Sequence, residues 1–327
     1  NGSVNSRRLL RILYKEFYNL FEVYLRREFK RSYYIDDISL DRPQVVRWKK
    51  EVERYYTPPT NIILLLPCSA KKPYRVSKSH TKIISFLKDT LKDKYSNLSQ
   101  LILTSPLGVV PRELEDYADY DIPVTGHWNQ EELDSLSGLL CSLIKKCNNP
   151  VVIAHFGENS PYLKAIEKLP FEIFYTHGSL EELKSIFDTN KVLWDKEPLN
   201  EYKTKAQKMF SFQFKKEFDL PFNYVERRKT TDLTFNKKII GIFQNKIKVN
   251  VPGGELIKES LWVNIDFDLR GDIFSKGIIS NSENIRPGDD VIVQRNNKCI
   301  GVGEAVVSGD MMKKLNRGKV VKIRARG

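Results

Sequence analysis

Cysteine is scarce and scattered in this sequence: Cys68, Cys141, Cys147 and Cys299 are the four in 327 residues. No two form a CxxC pair, which excludes a disulfide scaffold and argues against a zinc site. The four histidines show no HxxxH spacing, and there is no CxxxCxxC run of the kind that holds a radical iron–sulfur cluster. Neither a metal nor a cofactor is therefore expected. No apolar run approaches the ~18 residues of a membrane span. The longest candidate, Ile62 to Pro67, is short and ends in a proline. No charged-then-apolar leader with a cleavage site is seen, so a cytoplasmic protein with no membrane partner is expected.

What is present is positive charge on an ordinary globular background. Lys and Arg total 54 against 41 Asp and Glu, a formal net charge of +13. A pI near 9.4 raises the expectation of a polyanionic partner. Apolar residues make up 41% and charged residues 29%, too apolar for disorder and enough for about two domains.

Residues 7 to 57 read as helical. Leu10, Leu13, Phe17, Leu20, Phe21 and Tyr24 recur three or four apart within a helix over Arg7 to Arg31, and its other face is basic. That face is either a solvated surface or a phosphate contact. A second helix, Arg42 to Tyr56, is stopped by Pro58-Pro59. From Asn61 the pattern changes to apolar strands alternating with helices. Strands are expected at Ile62–Leu66, Leu101–Thr104, Ile122–Val124, Val151–Ala154 and Phe171–Tyr175. Helices are expected at Thr81–Tyr95, Asn129–Lys146, Ser160–Lys168 and Ser179–Phe187, with Asn129 and Ser179 as caps. This is the pattern of an α/β parallel sheet with flanking helices, which binds ligands beyond the carboxyl ends of its strands. The pattern lapses around Asn190 to Glu201. Tyr202 to Phe218 reads as a helix and 235 to 250 as a strand or hairpin. Short strands with turns at Arg286-Pro287-Gly288-Asp289 and Asn296-Asn297 then predict a small C-terminal β-barrel.

The densest chemistry follows the first buried strand. Pro67 to His80 gathers Cys68, Ser69, Lys71, Lys72, Tyr74, Arg75, Ser77, Lys78, Ser79 and His80 in fourteen positions. A cap at Ser77 or Ser79 explains one serine. Cys68, at a strand tip beside cations and a helix mouth, is either a nucleophile or a small buried residue. The second strand leads into Thr104 to Glu115, read as a loop on the same sheet edge. There Ser105, Arg112 and Glu115 face a ligand, or the last two form a surface ion pair. A third loop brings Asp121, His127 and Trp128, and His155 ends the fourth strand.

Near the C-terminus, Pro287 to Val293 and Cys299 to Ala305 form a turn–strand–turn–strand unit whose glycines permit close backbone approach. Lys313, Lys314, Arg317, Lys319, Lys322 and Arg324 follow, interleaved with Val320, Val321 and Ile323. This unit resembles a PUA domain, a small RNA-binding barrel, and its charge suits phosphate contacts.

Read as Pro-Cys-Ser-Ala-x-Lys-Pro-Tyr-x-x-Ser-x-Ser-His, the first loop together with the PUA-like end resembles archaeosine synthase. Supporting stretches are Val46-Arg47-Trp48 through Pro58-Pro59, Ser105 to Glu115, and Asp121 to Trp128. The resemblance implies an enzyme adding free lysine, through its side-chain amine, to the nitrile of 7-cyano-7-deazaguanine (preQ0) in the D-arm of tRNA. A separate radical SAM lyase partner would then cleave the adduct. For that reaction the residues expected in catalysis are Cys68, Ser69, Lys72 and His80. Tyr74, Ser77, Ser79, Ser105, Arg112, Glu115, Asp121 and His127 would bind substrate, and the six C-terminal cations would bind RNA. His80 or Lys72 would supply a proton, and Cys68 either forms a thioimide or only packs. The domains implied are a helical segment 1–58, a catalytic α/β domain 59–195, an α+β linking domain 196–257, and PUA 258–327. Longer relatives carry a transglycosylase-like barrel, for which the ~45 residues before the match are too few, so either a short form or a truncated chain is expected. Two rival readings are a non-catalytic tRNA-binding subunit of the same complex and a base-directed glycosylase.

Overall fold

The computed structural model describes residues 4–26, 37–118, 128–190, 196–228 and 230–327. The expected strand at Ile122–Val124 and the candidates Asp121 and His127 lie outside these residues. Two compact units emerge, Lys30–Lys208 and a second made of Asn1–Phe29 with Met209–Gly327. The N-terminal helices fall in both units.

The first unit contains α3 (Pro43–Tyr55), β1 (Ile62–Pro67), α4 (Lys78–Leu91), β2 (Ser99–Thr104), β3 (Gly108–Pro111), α5 (Gln130–Ile144), β4 (Val151–Ala154), α6 (Leu163–Ile166), β5 (Ile173–Tyr175) and α7 (Leu180–Thr189). They follow α1 (Val4–Glu16) and α2 (Tyr18–Tyr24) in the chain. The sheet order is β3-β2-β1-β4-β5. Its central strand β1 is the continuous apolar run, with Ile62 to Leu66 at most 1% exposed, as a strand covered on both faces requires. β1 pairs in parallel with β2 and β4, and β4 with β5. β3 departs from expectation: it pairs antiparallel with β2, Leu103 opposite Val109, so the Thr104–Glu115 segment is a hairpin and not one loop on the ligand edge. Its far end, Pro111, lies opposite Leu101, which carries Arg112 back along β2. α3 is fixed to this hairpin by Trp48, whose indole donates to the Val109 carbonyl at 3.1 Å, and by Tyr56, whose hydroxyl donates to Glu113 at 2.9 Å. α5 starts on a capping box, Asn129 and Glu132 each accepting from the other's backbone amide. α6 is a single turn where a longer helix over Ser160–Lys168 was expected.

In the second unit the expected first helix is broken at Phe17 into α1 and α2. α2 is tied down by Glu22, which accepts from Arg286 at 2.6 Å. α8 (Glu201–Phe214) enters this unit at Met209. An antiparallel sheet follows, β6 (Asn223–Glu226), β7 (Thr231–Phe235), β8 (Lys238–Phe243) and β9 (Ile247–Val249), and then α9 (Val251–Leu256). The C-terminal strands are β10 (Trp262–Asn264), β11 (Ile273–Phe274), β12 (Ser280–Asn281), β13 (Asp290–Arg295), β14 (Lys298–Ala305) and β15 (Lys319–Arg326), with α10 (Gly309–Met312) before the last. They form one sheet in the order β11-β15-β14-β13-β10-β12, curled into a half-barrel around Val263, Val291, Val293, Met312, Val320 and Val321. Gly303 passes so close to β15 that a Cβ there would stand 2.5 Å from the Lys322 carbonyl oxygen. Among the described residues no helix is long and apolar enough to cross a membrane.

Candidate functional site

The Pro67–His80 loop leaves the carboxyl end of β1 and closes onto α4. Ser77 is the N-cap of α4, its hydroxyl accepting from the His80 amide at 3.3 Å. This cap turns the His80 ring back under the loop, where it is 1% exposed. Nε2 lies 2.9 Å from the Pro67 carbonyl oxygen, and Arg112 Nη2 lies 2.9 Å from Nδ1. A carbonyl only accepts and a guanidinium only donates, so the ring carries its proton on Nε2 and offers its Nδ1 lone pair to Arg112. Burial first, then the Arg112 charge, push the His80 pKa down to about 4, so the imidazole is neutral at neutral pH.

Arg112 has no free edge. Nε donates to Gln100 at 3.1 Å, Nη1 to Glu115 at 3.0 Å, and Nη2 to His80. Glu115, 2% exposed, also accepts from the Arg75 amide at 3.0 Å and the Arg75 guanidinium at 3.2 Å. Arg75 reaches Asp116 at 2.6 Å as well. The result is a chain of contacts, Arg75–Glu115–Arg112–His80–Pro67, charge-assisted as far as the neutral His80 ring, that fastens both ends of the loop. Tyr74 is fully buried, its ring 5.6 Å from the His80 ring, and Lys72 Nζ stands 6.0 Å from the centroid of the Tyr74 ring.

Cys68 stands outside that chain, half-buried at the strand tip. Its Sγ accepts a hydrogen bond from the Tyr162 hydroxyl at 3.2 Å. Tyr162 arrives from the segment after β4, the strand beside β1. That junction is held by the His155 amide donating to the Leu65 carbonyl at 3.0 Å. The Tyr162 ring is flanked by Trp128, edge-on at 5.1 Å, and by Phe156 at 5.2 Å. Burial is the main cause raising its pKa, followed by Cys68, so the phenol keeps its proton. Sequence reasoning missed Tyr162. The signal available was topological: with β4 beside β1, the aromatic segment after β4 falls next to the loop after β1.

The other candidates scatter. Ser69 donates to the Lys71 carbonyl at 3.1 Å, and Ser79 is exposed, 3.4 Å from the Ser77 hydroxyl. Ser105 donates to Glu132 at the head of α5, 2.5 Å away. His155 Nδ1 is 2.7 Å from the Thr176 hydroxyl, and burial lowers its pKa. In the second unit Lys313, Lys314, Arg317 and Lys322 are exposed on or next to β15. Lys319 pairs with Asp272 at 2.5 Å. Arg324 turns inward, to Asp290 at 2.5 Å and the Val249 carbonyl at 3.0 Å. Among the described residues no group of three or more His, Cys, Asp or Glu side chains is placed to hold a metal ion.

Residues 45–187 match a family model described as a domain of unknown function, DUF5591, and residues 266–326 match the PUA domain. The chain is 37% identical to archaeosine synthase subunit alpha of Thermococcus kodakarensis, over 97% of this chain and 60% of that protein. It is 31% identical to archaeosine synthase of Methanocaldococcus jannaschii, over 90% of this chain and 55% of that protein. It thus spans little more than half the length of these relatives. Among solved structures, AF0587, described as a protein of unknown function, aligns with TM-score 0.64 at 27% identity, covering 85% of this chain and 98% of that one. The resemblance to archaeosine synthases carried by the first loop extends over most of the chain, which holds a DUF5591 domain followed by a PUA domain.

Proposed function

We propose, from the DUF5591 and PUA domains of this chain and its likeness to archaeosine synthases, that it acts in archaeosine formation in tRNA. Its reaction is the addition of free lysine, through the side-chain amine, to the nitrile carbon of preQ0 in the D-arm, the product passing to a radical SAM lyase. The observation that carries this reading is the braced loop with a half-buried thiol at its start. Cys68 follows the Pro67 carbonyl that His80 holds, at the sheet edge where such folds bind ligands.

A nitrile carbon is a weak electrophile and needs a strong nucleophile, a proton for the developing nitrogen, and exclusion of water. Cys68 adds first and forms a thioimide; the lysine amine then displaces the sulfur and leaves an amidine. His80 has both ring nitrogens committed, so its part is to position the Pro67–Cys68 peptide and not to deliver the proton. Arg112 and Glu115, expected to grip the amino acid, are read here as braces, because each of their side-chain polar atoms already has a protein partner. Lys72 serves as an electrostatic clamp near the base, with Ser69 and Ser79 as hydrogen-bonding groups beside it. The exposed cations Lys313, Lys314, Arg317 and Lys322 contact tRNA phosphates.

The test is to incubate the chain with labelled lysine and tRNA bearing preQ0, digest the tRNA and weigh the nucleosides. A gain of one lysine on that base supports the transferase. Binding of the tRNA with no adduct replaces it by a tRNA-presenting subunit, and action on tRNA without preQ0 replaces it by a glycosylase.

A further inference from the structure

We infer that Tyr162 is a further catalytic residue, whose hydroxyl carries the proton between the Cys68 sulfur and the substrate nitrogen. This rests on the thioimide reading above and assigns it a second participant. The Tyr162 hydroxyl donates to Cys68 Sγ at 3.2 Å, so it touches the reacting atom directly. The ring is 7% exposed and held between Trp128 and Phe156, which leaves the hydroxyl little freedom to swing off the sulfur. Burial favours the neutral phenol, so a proton is present to give. Of the two loop candidates for donor, His80 is turned away onto Pro67 and Arg112, and Lys72 lies over the Tyr74 ring, 6.0 Å from its centroid.

The two steps balance without any oxidant or reductant. In the first, the S–C bond forms and one π bond of the nitrile breaks. Tyr162 gives its proton to the nitrogen and takes the thiol proton in return, leaving a neutral thioimide. The anionic nitrogen that would otherwise form is far more basic than a phenolate, so even a weakly acidic phenol suffices. In the second step the amine nitrogen bonds to the same carbon and the C–S bond breaks. Tyr162 then protonates the departing sulfur, the direction in which its hydrogen bond already points, and recovers a proton from the attached amine. The product is the amidine, with Cys68 and Tyr162 restored.

Tyr162→Phe in the full chain keeps the ring and removes only the hydroxyl. General acid–base assistance is typically worth 10²–10⁴-fold. Turnover is therefore expected to fall at least ~100-fold, with KM for tRNA and lysine little changed. Wild-type turnover in Tyr162→Phe, with Cys68→Ala inactive, would overturn the Tyr162 assignment and leave the thioimide intact. Full turnover in Cys68→Ala would instead sink the thioimide reading itself. If Tyr162→Phe does not fold, 3,5-difluorotyrosine at position 162 decides. That residue keeps the shape with a more acidic phenol, and the turnover rate is expected to change several-fold across the whole pH profile. Superimposable profiles would overturn the proposal, because a packing role does not depend on phenol acidity.

Discussion

Acid should destabilise the first unit through His80, and the size of the effect follows from its surroundings. The ring is 1% exposed, gives its Nε2 proton to the Pro67 carbonyl, and takes a hydrogen bond on Nδ1 from a cation. Protonating Nδ1 would break the contact with Arg112 and set two positive charges against each other. Burial and that charge place the pKa at about 4 against 6.5 for a free imidazole. The unfolded chain thus binds this proton more readily, so stability falls as pH falls. The contribution is complete above about pH 6.5, declines as pH drops toward 4, and is gone below. A gap of roughly 2.5 units corresponds to about 3 kcal/mol in all, of which about 2 kcal/mol is lost by pH 5. The check is histidine 13Cε1 NMR, with the signals assigned by His→Gln variants, alongside urea unfolding at several pH values. The His80 signal should stay neutral, with the proton on Nε2, down to about pH 5 and titrate near 4. A midpoint near 6.5 would refute the reasoning, because it would mean that neither burial nor Arg112 acts on the ring in solution. An unchanged catalytic pH profile between 6 and 8 in an active His80→Gln variant would agree with a positioning role.

Three further outcomes are expected. Arg112→Ala leaves Glu115 without one of its cations, and urea unfolding should show a loss of about 3–5 kcal/mol, as for other broken buried pairs. Arg112→Lys should recover only part of this, since an ammonium cannot serve Gln100, Glu115 and His80 together. In the second unit Lys215 pairs with Asp289 at 2.8 Å, the two side chains 5% and 0% exposed. Lys215→Met should cost about 3–5 kcal/mol, and adding Asp289→Leu should restore much of it, because the penalty is the stranded charge. Converting Lys313, Lys314, Arg317 and Lys322 together to Gln should flatten the salt dependence of tRNA binding by a slope of up to about 3–4, at unchanged melting temperature. Arg324→Gln should do the opposite, lowering the melting temperature by stranding buried Asp290 while leaving the salt slope alone.

The parts of this fold legible in the sequence are those set by local signals. The β1 run is apolar over a strand's length, and Asn129 and Ser179 cap the helices they begin. The parts that were not legible depend on pairing across the chain. β3 has two flanking prolines and a glycine, the composition of a loop, and becomes a strand because β2 offers it an edge. That one pairing changes the meaning of Arg112 and Glu115. Adjacent to a supposed ligand loop they look like substrate contacts; at the far end of a hairpin they become the support beneath His80. The Cys68–Tyr162 contact spans 94 residues and rests on sheet order alone. In the C-terminal unit, the alternation of charge and valine on β15 predicts the strand correctly. It cannot show that the Arg324 guanidinium reaches buried Asp290, a pairing across 34 residues of chain.

The loop's unusual composition then acquires a division of labour. Arg75 and His80 are spent on Glu115 and Arg112, where they fix backbone and not substrate. Pro67 has no amide proton, so its carbonyl is the one main-chain hydrogen-bonding group it offers, and His80 takes it. That contact orients the peptide plane leading directly into Cys68. The thiol is therefore aimed by a neutral ring whose tautomer is fixed by a guanidinium, and it is met on its other side by a phenol arriving from a different strand. A histidine in contact with the nucleophile would titrate within the working pH range and compete for the role of base. Held one peptide away, and kept neutral by burial and then by Arg112, it contributes geometry without contributing a charge that varies with pH.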